Sequence, residues 1–134
     1  MSNFEIKTHK IGRIYNKPHF FILSKGLNSG KPMKDACPNC FVIITGSNES
    51  RETLFYLCLS LQIGKYFSYY LKGSVIPFIC IKDSKKVIQN ALINYDQTQL
   101  NNKVKKLKKI IQYEENLKLQ LHTIQKIKIA ILAR

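Results

Sequence analysis

The chain has 134 residues, of which 22 are lysine or arginine and only 8 are aspartate or glutamate, giving a formal net charge of +14. Its length and its 45% hydrophobic content fit one globular unit with a real core. The charge favours a polyanionic partner, namely DNA, RNA or an anionic membrane surface; a Lys-, Ile- and Asn-rich composition is the bland alternative.

Phe4 to Thr8 alternates and reads as a strand, and Ile11 to Tyr15 as a second short one. Asn16-Lys17-Pro18 is a turn signal, and His19 to Leu23 is a compact apolar run expected to be a buried strand. Ser24 to Pro38 reads as a long basic loop, and Phe41 to Thr45 is the clearest strand. A helix follows, capped by Ser47 or Ser50, with Glu49 and Glu52 near its positive end. Leu54, Leu57, Cys58 and Leu61 share one face, with Phe55 and Leu59 beside them, so this helix should be buried.

Gly64 interrupts it, and Lys65 to Leu71 reads as a short aromatic helix. After a Lys72-Gly73-Ser74 turn, Val75 to Ile81 reads as a strand, with Pro77 at an edge or bulge. Asp83 or Ser84 should cap a helix over Lys85 to Ile93, and Asp96 the last helix, from Gln97 onward. That helix has no Gly or Pro; ~36 residues at ~1.5 Å each span ~54 Å, too long for so small a body to cover. Its apolar residues Leu107, Ile111, Leu117, Leu121, Ile124 and Ile131 must therefore meet a second copy, another chain or a fold-back. The polar interruptions at Glu114 and Lys128 argue against a strict coiled coil.

Cys37-Pro38-Asn39-Cys40 has the spacing of a metal knuckle or a redox pair. Zinc needs four ligands, and His9, His19, His122, Cys58 and Cys80 supply no second close pair, so the expectation is no metal and no cofactor. A redox site would place the pair at a helix start, and here it precedes a strand. Cys58 and Cys80 sit in apolar runs and read as core. Gly26 to Lys31 imitates a phosphate loop, but it has three residues between the glycines and Pro32 after the lysine, which excludes nucleotide hydrolysis. His19, beside Phe20 and Phe21, has no carboxylate to orient it and reads as a structural histidine. No acid–base pair or nucleophile triad can be assembled, so enzyme activity is not expected.

Two basic stretches remain. Lys65 to Ser74 interleaves cations with Tyr66, Tyr69 and Tyr70, and Lys103, Lys105, Lys106, Lys108 and Lys109 ring the last helix. The first suits phosphates and base edges, and is equally readable as a core helix with outward Tyr hydroxyls; the second suits a phosphate backbone, and is equally readable as a solvated helical face.

Leu54-Phe55-Tyr56-Leu57, Gly73-Ser74, Pro77, Ile79 and Lys82-Asp83 resemble, in order, the second half of a target-recognition domain from specificity subunits of type I restriction-modification enzymes. The resemblance runs from about Cys40 to the C-terminus, with a spacer-like helix from Gln97 to Arg134. That family's Pro-rich exit is replaced by Val87-Ile88-Gln89-Asn90. The stretch from His19 to Gly26 with Cys37 to Ile43 also resembles a small uncharacterised Bacteroidetes domain family, which implies no function.

The expected fold is α+β: a small twisted β-sheet of four or five strands with packed helices, target-recognition-domain-like, over 1–95, and a long spacer-like helix over 96–134. The expected function is a non-enzymatic double-stranded DNA-binding module, located in the cytoplasm and without a membrane span. The DNA contacts would be Lys25, Lys31, Lys34, Lys65, Tyr69, Lys72, Ser74, Lys103, Lys105, Lys106 and Lys109. A homodimer would form through the last helix, as the pairing of spacer helices in the resembled family implies. The alternative is a protein-interaction module, an assembly factor or inhibitor, docking on a restriction-modification or mobile-element protein.

Overall fold

A computed structural model describes residues 3–133. Four strands, β1 (Phe4–Thr8), β2 (His19–Leu23), β3 (Pro32–Met33) and β4 (Cys40–Thr45), precede the helices α1 (Asn48–Ile63), α2 (Ile81–Ile93) and α3 (Gln97–Leu132). The fold is α+β. The sheet is antiparallel throughout, in the order β1-β4-β2-β3, so β4 sits between the first two strands.

Register divides the apolar residues between two faces. Ile43 pairs with Ile6 on one side and Phe20 on the other, and Phe41 with Ile22. Side chains alternate along a strand, so these residues share a face. They meet Leu54, Cys58 and Leu61 of α1, Val87 and Ile88 of α2, and Phe67 and Ile79 from the connections, as the main core. Phe21, Cys40 and Val42 point the opposite way into a smaller cluster with Tyr15, Met33 and Cys37. There the rings of His9 and His19 lie 5.1 and 5.4 Å from that of Phe21. His19 is thus a half-buried structural residue, its Nδ1 2.8 Å from the Lys17 carbonyl.

The capping chemistry of two helices follows the sequence. The Ser47 hydroxyl accepts from the Ser50 N–H, and Asp96 and Gln99 form a reciprocal capping box on α3.

Five expectations are corrected. Ile11 to Tyr15 is a turn, not a strand: Arg13 N–H bonds to the Lys10 carbonyl, Gly12 has φ +84°, and Tyr15 folds back over Phe21. Ser24 to Pro38 is not one open loop. Gly30 N–H donates to Leu23 and Leu23 N–H to Lys31, which turns the chain tightly into β3, with Ser29 buried and bonded to the Gly26 carbonyl.

Lys65 to Leu71 keeps only a three-residue 3-10 turn, Ser68–Tyr70. Lys65 takes φ +65°, its N–H bonds to Gln62, and the Tyr66 N–H reaches back to Leu61, the hydrogen bonds of a Schellman end. Val75 to Ile81 is not a strand. Phe78 alone pairs, exchanging both backbone hydrogen bonds with Lys72, while Gly26 N–H takes the Pro77 carbonyl. Finally α2 begins at Ile81, so Asp83 and Ser84 lie inside it rather than capping it; the Ser84 hydroxyl donates to the Cys80 carbonyl.

Candidate nucleic-acid interface

The first four turns of α3 belong to the body. Leu100 and Val104 are buried, and Leu107 and Ile111 half-buried, at the three- and four-residue steps of one helix face. Continued at that spacing, the same face becomes Glu114, Lys118 and His122, and Lys118 pairs with Glu114 at 3.9 Å. It turns polar where the helix leaves the body. From Gln112 to Leu132 every described side chain is exposed, a projection of ~31 Å.

A different face of that projection is apolar. Ile110, Leu117, Ile124 and Ile131 recur every seven residues, and Leu121 and Leu132 lie beside them. Leu117, Leu121, Ile124 and Ile131 are 46–76% exposed. The seven-residue series is legible in the sequence, but Ile111 masks it by carrying the apolar run onto the body-facing side.

Between α1, α2 and the start of α3 lies a cleft of about 540 Å³. Its floor is aliphatic, including Leu61, Val87, Leu100 and Val104, and its walls carry Tyr56, Tyr66, Tyr70 and Tyr95. Asn90 and Asn94 add amides, and Lys103 and Lys106 stand at its edge. Among the described residues no carboxylate lines it. Three ammonium groups lie over three of these rings: Lys103 at 5.2 Å from the Tyr95 centroid, and Lys86 and Lys108 each at 5.7 Å from Tyr70 and Tyr56. Lys86 and Tyr95 had no motif to mark them: Lys86 meets Tyr70, and Tyr95 meets Lys103, only across separate elements of the fold.

The sequence-derived cations fall into separate groups. Lys103, Lys105, Lys106 and Lys109 are exposed on α3 and make no ion pair among the described residues, whereas Lys108 is paired with Glu52. Lys25 and Lys72 both reach Phe78 through their backbones, which joins their two loops into one surface with exposed Ser74. Tyr69, 84% exposed, packs edge-on against Tyr70 and connects this surface to the cleft wall. Lys31 and Lys34 are exposed at the ends of β3, and Lys34 lines a second hollow with His19 and Arg51.

The cysteines are all free. Burial raises the Cys58 thiol well above its ordinary range. Burial also raises the thiol of Cys40, which donates to the Cys37 carbonyl at 3.1 Å. Among the described residues no group of three or more His, Cys, Asp or Glu could hold a metal ion. Cys80 is not a core residue: half-buried at the start of α2, it donates to Asp83 at 2.9 Å. That hydrogen bond, with Lys72 and Lys86 nearby, holds the Asp83 carboxyl below the usual carboxylate range.

Among the described residues no helix is long and apolar enough to cross a membrane. No curated protein and no solved structure matches the chain. Residues 6–134 match a protein family, nearly the whole length, and the chain therefore belongs to the family of unknown function DUF6943.

Proposed function

We propose that the protein is a non-enzymatic module that binds duplex DNA, and that it does so as a pair of copies joined through α3. The carrying observation is uncompensated charge. The chain is +14, and among the described residues only Lys7, Lys72, Lys108 and Lys118 make ion pairs. The exposed lysines of α3, and Lys25 on the loop surface it shares with the ion-paired Lys72, present cations that phosphates would neutralise, releasing counterions. Five of its eight acidic side chains are taken up locally: Glu5, Glu52, Asp83 and Glu114 in ion pairs and Asp96 in a helix cap. That supports a binding rather than a catalytic role.

A salt series of gel shifts with random duplexes tests this. The logarithm of the affinity should fall with that of salt concentration by ~0.9 per phosphate contacted. Replacing Lys105, Lys106 and Lys109 by Gln should flatten the slope by ~2–3. A salt-independent affinity, or none at low salt, refutes DNA binding.

The free half of α3 favours a second reading, a protein-interaction module whose partner is a restriction-modification or mobile-element protein. Leaving Leu117, Leu121, Ile124 and Ile131 in water forgoes ~1.5–3 kcal/mol for each side chain that a partner could bury. Light scattering separates the readings. A dimer that Leu117→Glu with Leu121→Glu dissociates supports self-association; a monomer that co-purifies with another protein and shifts no DNA supports the second.

A further inference from the structure

We propose that the cleft between α1, α2 and α3 holds one unstacked nucleotide, so that the protein prefers nucleic acid carrying an unpaired segment over a fully paired duplex. The inference rests on the nucleic-acid reading and adds a site to it. A ~540 Å³ cleft falls within the ~300–1,000 Å³ range of small-ligand sites. Its lining selects the ligand by chemistry. Aliphatic floor and tyrosine walls suit the flat, weakly polar face of a base, and stacking on tyrosine is indifferent to which base it is. Tyr66 and Tyr95 are 62% and 36% exposed, so part of each ring is free for such a contact. The exposed Asn90 and Asn94 can donate and accept along a base edge.

The charge pattern carries the argument further. Lys103 and Lys106 line the cleft, Lys86 lies over the Tyr70 ring, and none of the three makes an ion pair among the described residues. A cleft edged by cations and, among the described residues, lined by no acid is complementary to an anion whose charge lies outside its aromatic part. A nucleotide has that division, with its phosphate at the edge and its base inside. A paired base cannot enter, because its faces are covered by its neighbours in the stack; the occupant must be unpaired.

The test uses the full chain and three probes at one salt concentration: a blunt duplex, the same duplex with a short thymidine overhang, and that overhang with abasic sugars in place of the thymidines. The overhang should bind about tenfold more tightly than the blunt duplex, as expected for one stacked base. The abasic overhang, with the same phosphates, should show no such gain. Tyr66→Ala and Tyr95→Ala, checked by thermal unfolding to be folded, should remove the gain and leave blunt-duplex binding unchanged. Blunt-duplex binding with no overhang gain, or an equal gain from the abasic probe, overturns the cleft assignment alone. Failure to bind any probe overturns the nucleic-acid reading and this inference with it.

Discussion

Gly30 lies flush against the ring of Phe67: a Cβ built on the glycine would fall among Cγ, Cδ2 and Cε2 of that ring. Gly30 also has φ +94°, a conformation that side chains with a Cβ adopt only under strain. Phe67 is 1% exposed and cannot swing away into solvent. The glycine that imitates part of a phosphate loop in the sequence is there for packing.

Gly30→Ala should therefore destabilise the fold by about 2–5 kcal/mol, combining overpacking with backbone strain. Gly26→Ala is the control. Gly26 has φ +92° but nothing within 4 Å of its Cβ position, so it should lose only about 1–2 kcal/mol. Urea unfolding of the two variants measures the difference. Equal losses would show that the Phe67 contact is unimportant.

Lys65 ends α1 in the left-handed region, the position a Schellman end gives most often to glycine. Lys65→Gly should raise stability by about 1 kcal/mol, read as a higher urea midpoint with an unchanged slope. Lys65→Ala, which keeps the Cβ, should not. Equal effects of the two substitutions would trace the gain to removal of the positive charge instead.

These positions mark where the sequence stopped being legible. The apolar runs of β2 and β4 and the caps Ser47 and Asp96 are local signals, and local signals gave the strands and the starts of α1 and α3. The turn into β3 depends on Phe67, 37 positions after Gly30, and no window around Gly30 contains it. Gly64 looks like the left-handed residue of the α1 end, yet it has φ −75° and its neighbour takes that role. Val75 to Ile81 has strand-like composition, but Pro77 and the closed Lys72–Phe78 pair leave Val75 and Ile76 exposed in a loop. The cleft was invisible for the same reason: its tyrosines and lysines come from separate elements, and their alignment is a property of packing.

The cysteines should react in an order set by burial. Cys37 and Cys80 are half-buried, Cys40 is buried with a raised pKa, and Cys58 is fully enclosed. In native protein at neutral pH, an alkylating reagent should modify Cys37 and Cys80 first and Cys58 only on unfolding. Purified protein should carry no stoichiometric zinc. One zinc per chain by elemental analysis, with Cys37 protected from alkylation, would reverse this reading.

Asp83 should make the stability of the fold depend on pH in the acid range. Its folded pKa is depressed, chiefly by the Cys80 hydrogen bond and then by Lys72 and Lys86, so folding favours the ionised form. The resulting stabilisation is present above the unfolded value of about 3.9 and is lost as pH falls through the lower folded value. Asp83→Asn should lower the melting temperature near neutral pH, and the deficit should shrink as pH drops below about 4. A deficit that stays constant through that window would mean Asp83 acts by packing alone.

The free face of α3 also has charge at its border, with Glu114 standing where it meets the body-facing row, and this bears on how two copies would pair. Glu114 and Lys128 are each seven residues from Leu121, on the same side of the helix at that spacing. An antiparallel pair with its twofold axis at Leu121 places Glu114 of each copy opposite Lys128 of the other, with Leu121 meeting its own counterpart. It also holds two strongly basic bodies at opposite ends, which lowers their mutual repulsion. A parallel pair would set Lys128 near its own counterpart and bring the bodies side by side. Charge reversal distinguishes the two. Glu114→Lys places like charges at both ends of the antiparallel pair, and at about 0.2–1 kcal/mol for each exposed site it should weaken association several-fold. Lys128→Glu should do the same. The double variant restores opposite charges in the antiparallel arrangement and should recover the original dissociation constant in sedimentation equilibrium. In a parallel pair the two changes have no contact with each other, so their effects should add. Additive behaviour would exclude the antiparallel pairing, and a monomer at all concentrations would exclude self-association through α3 altogether.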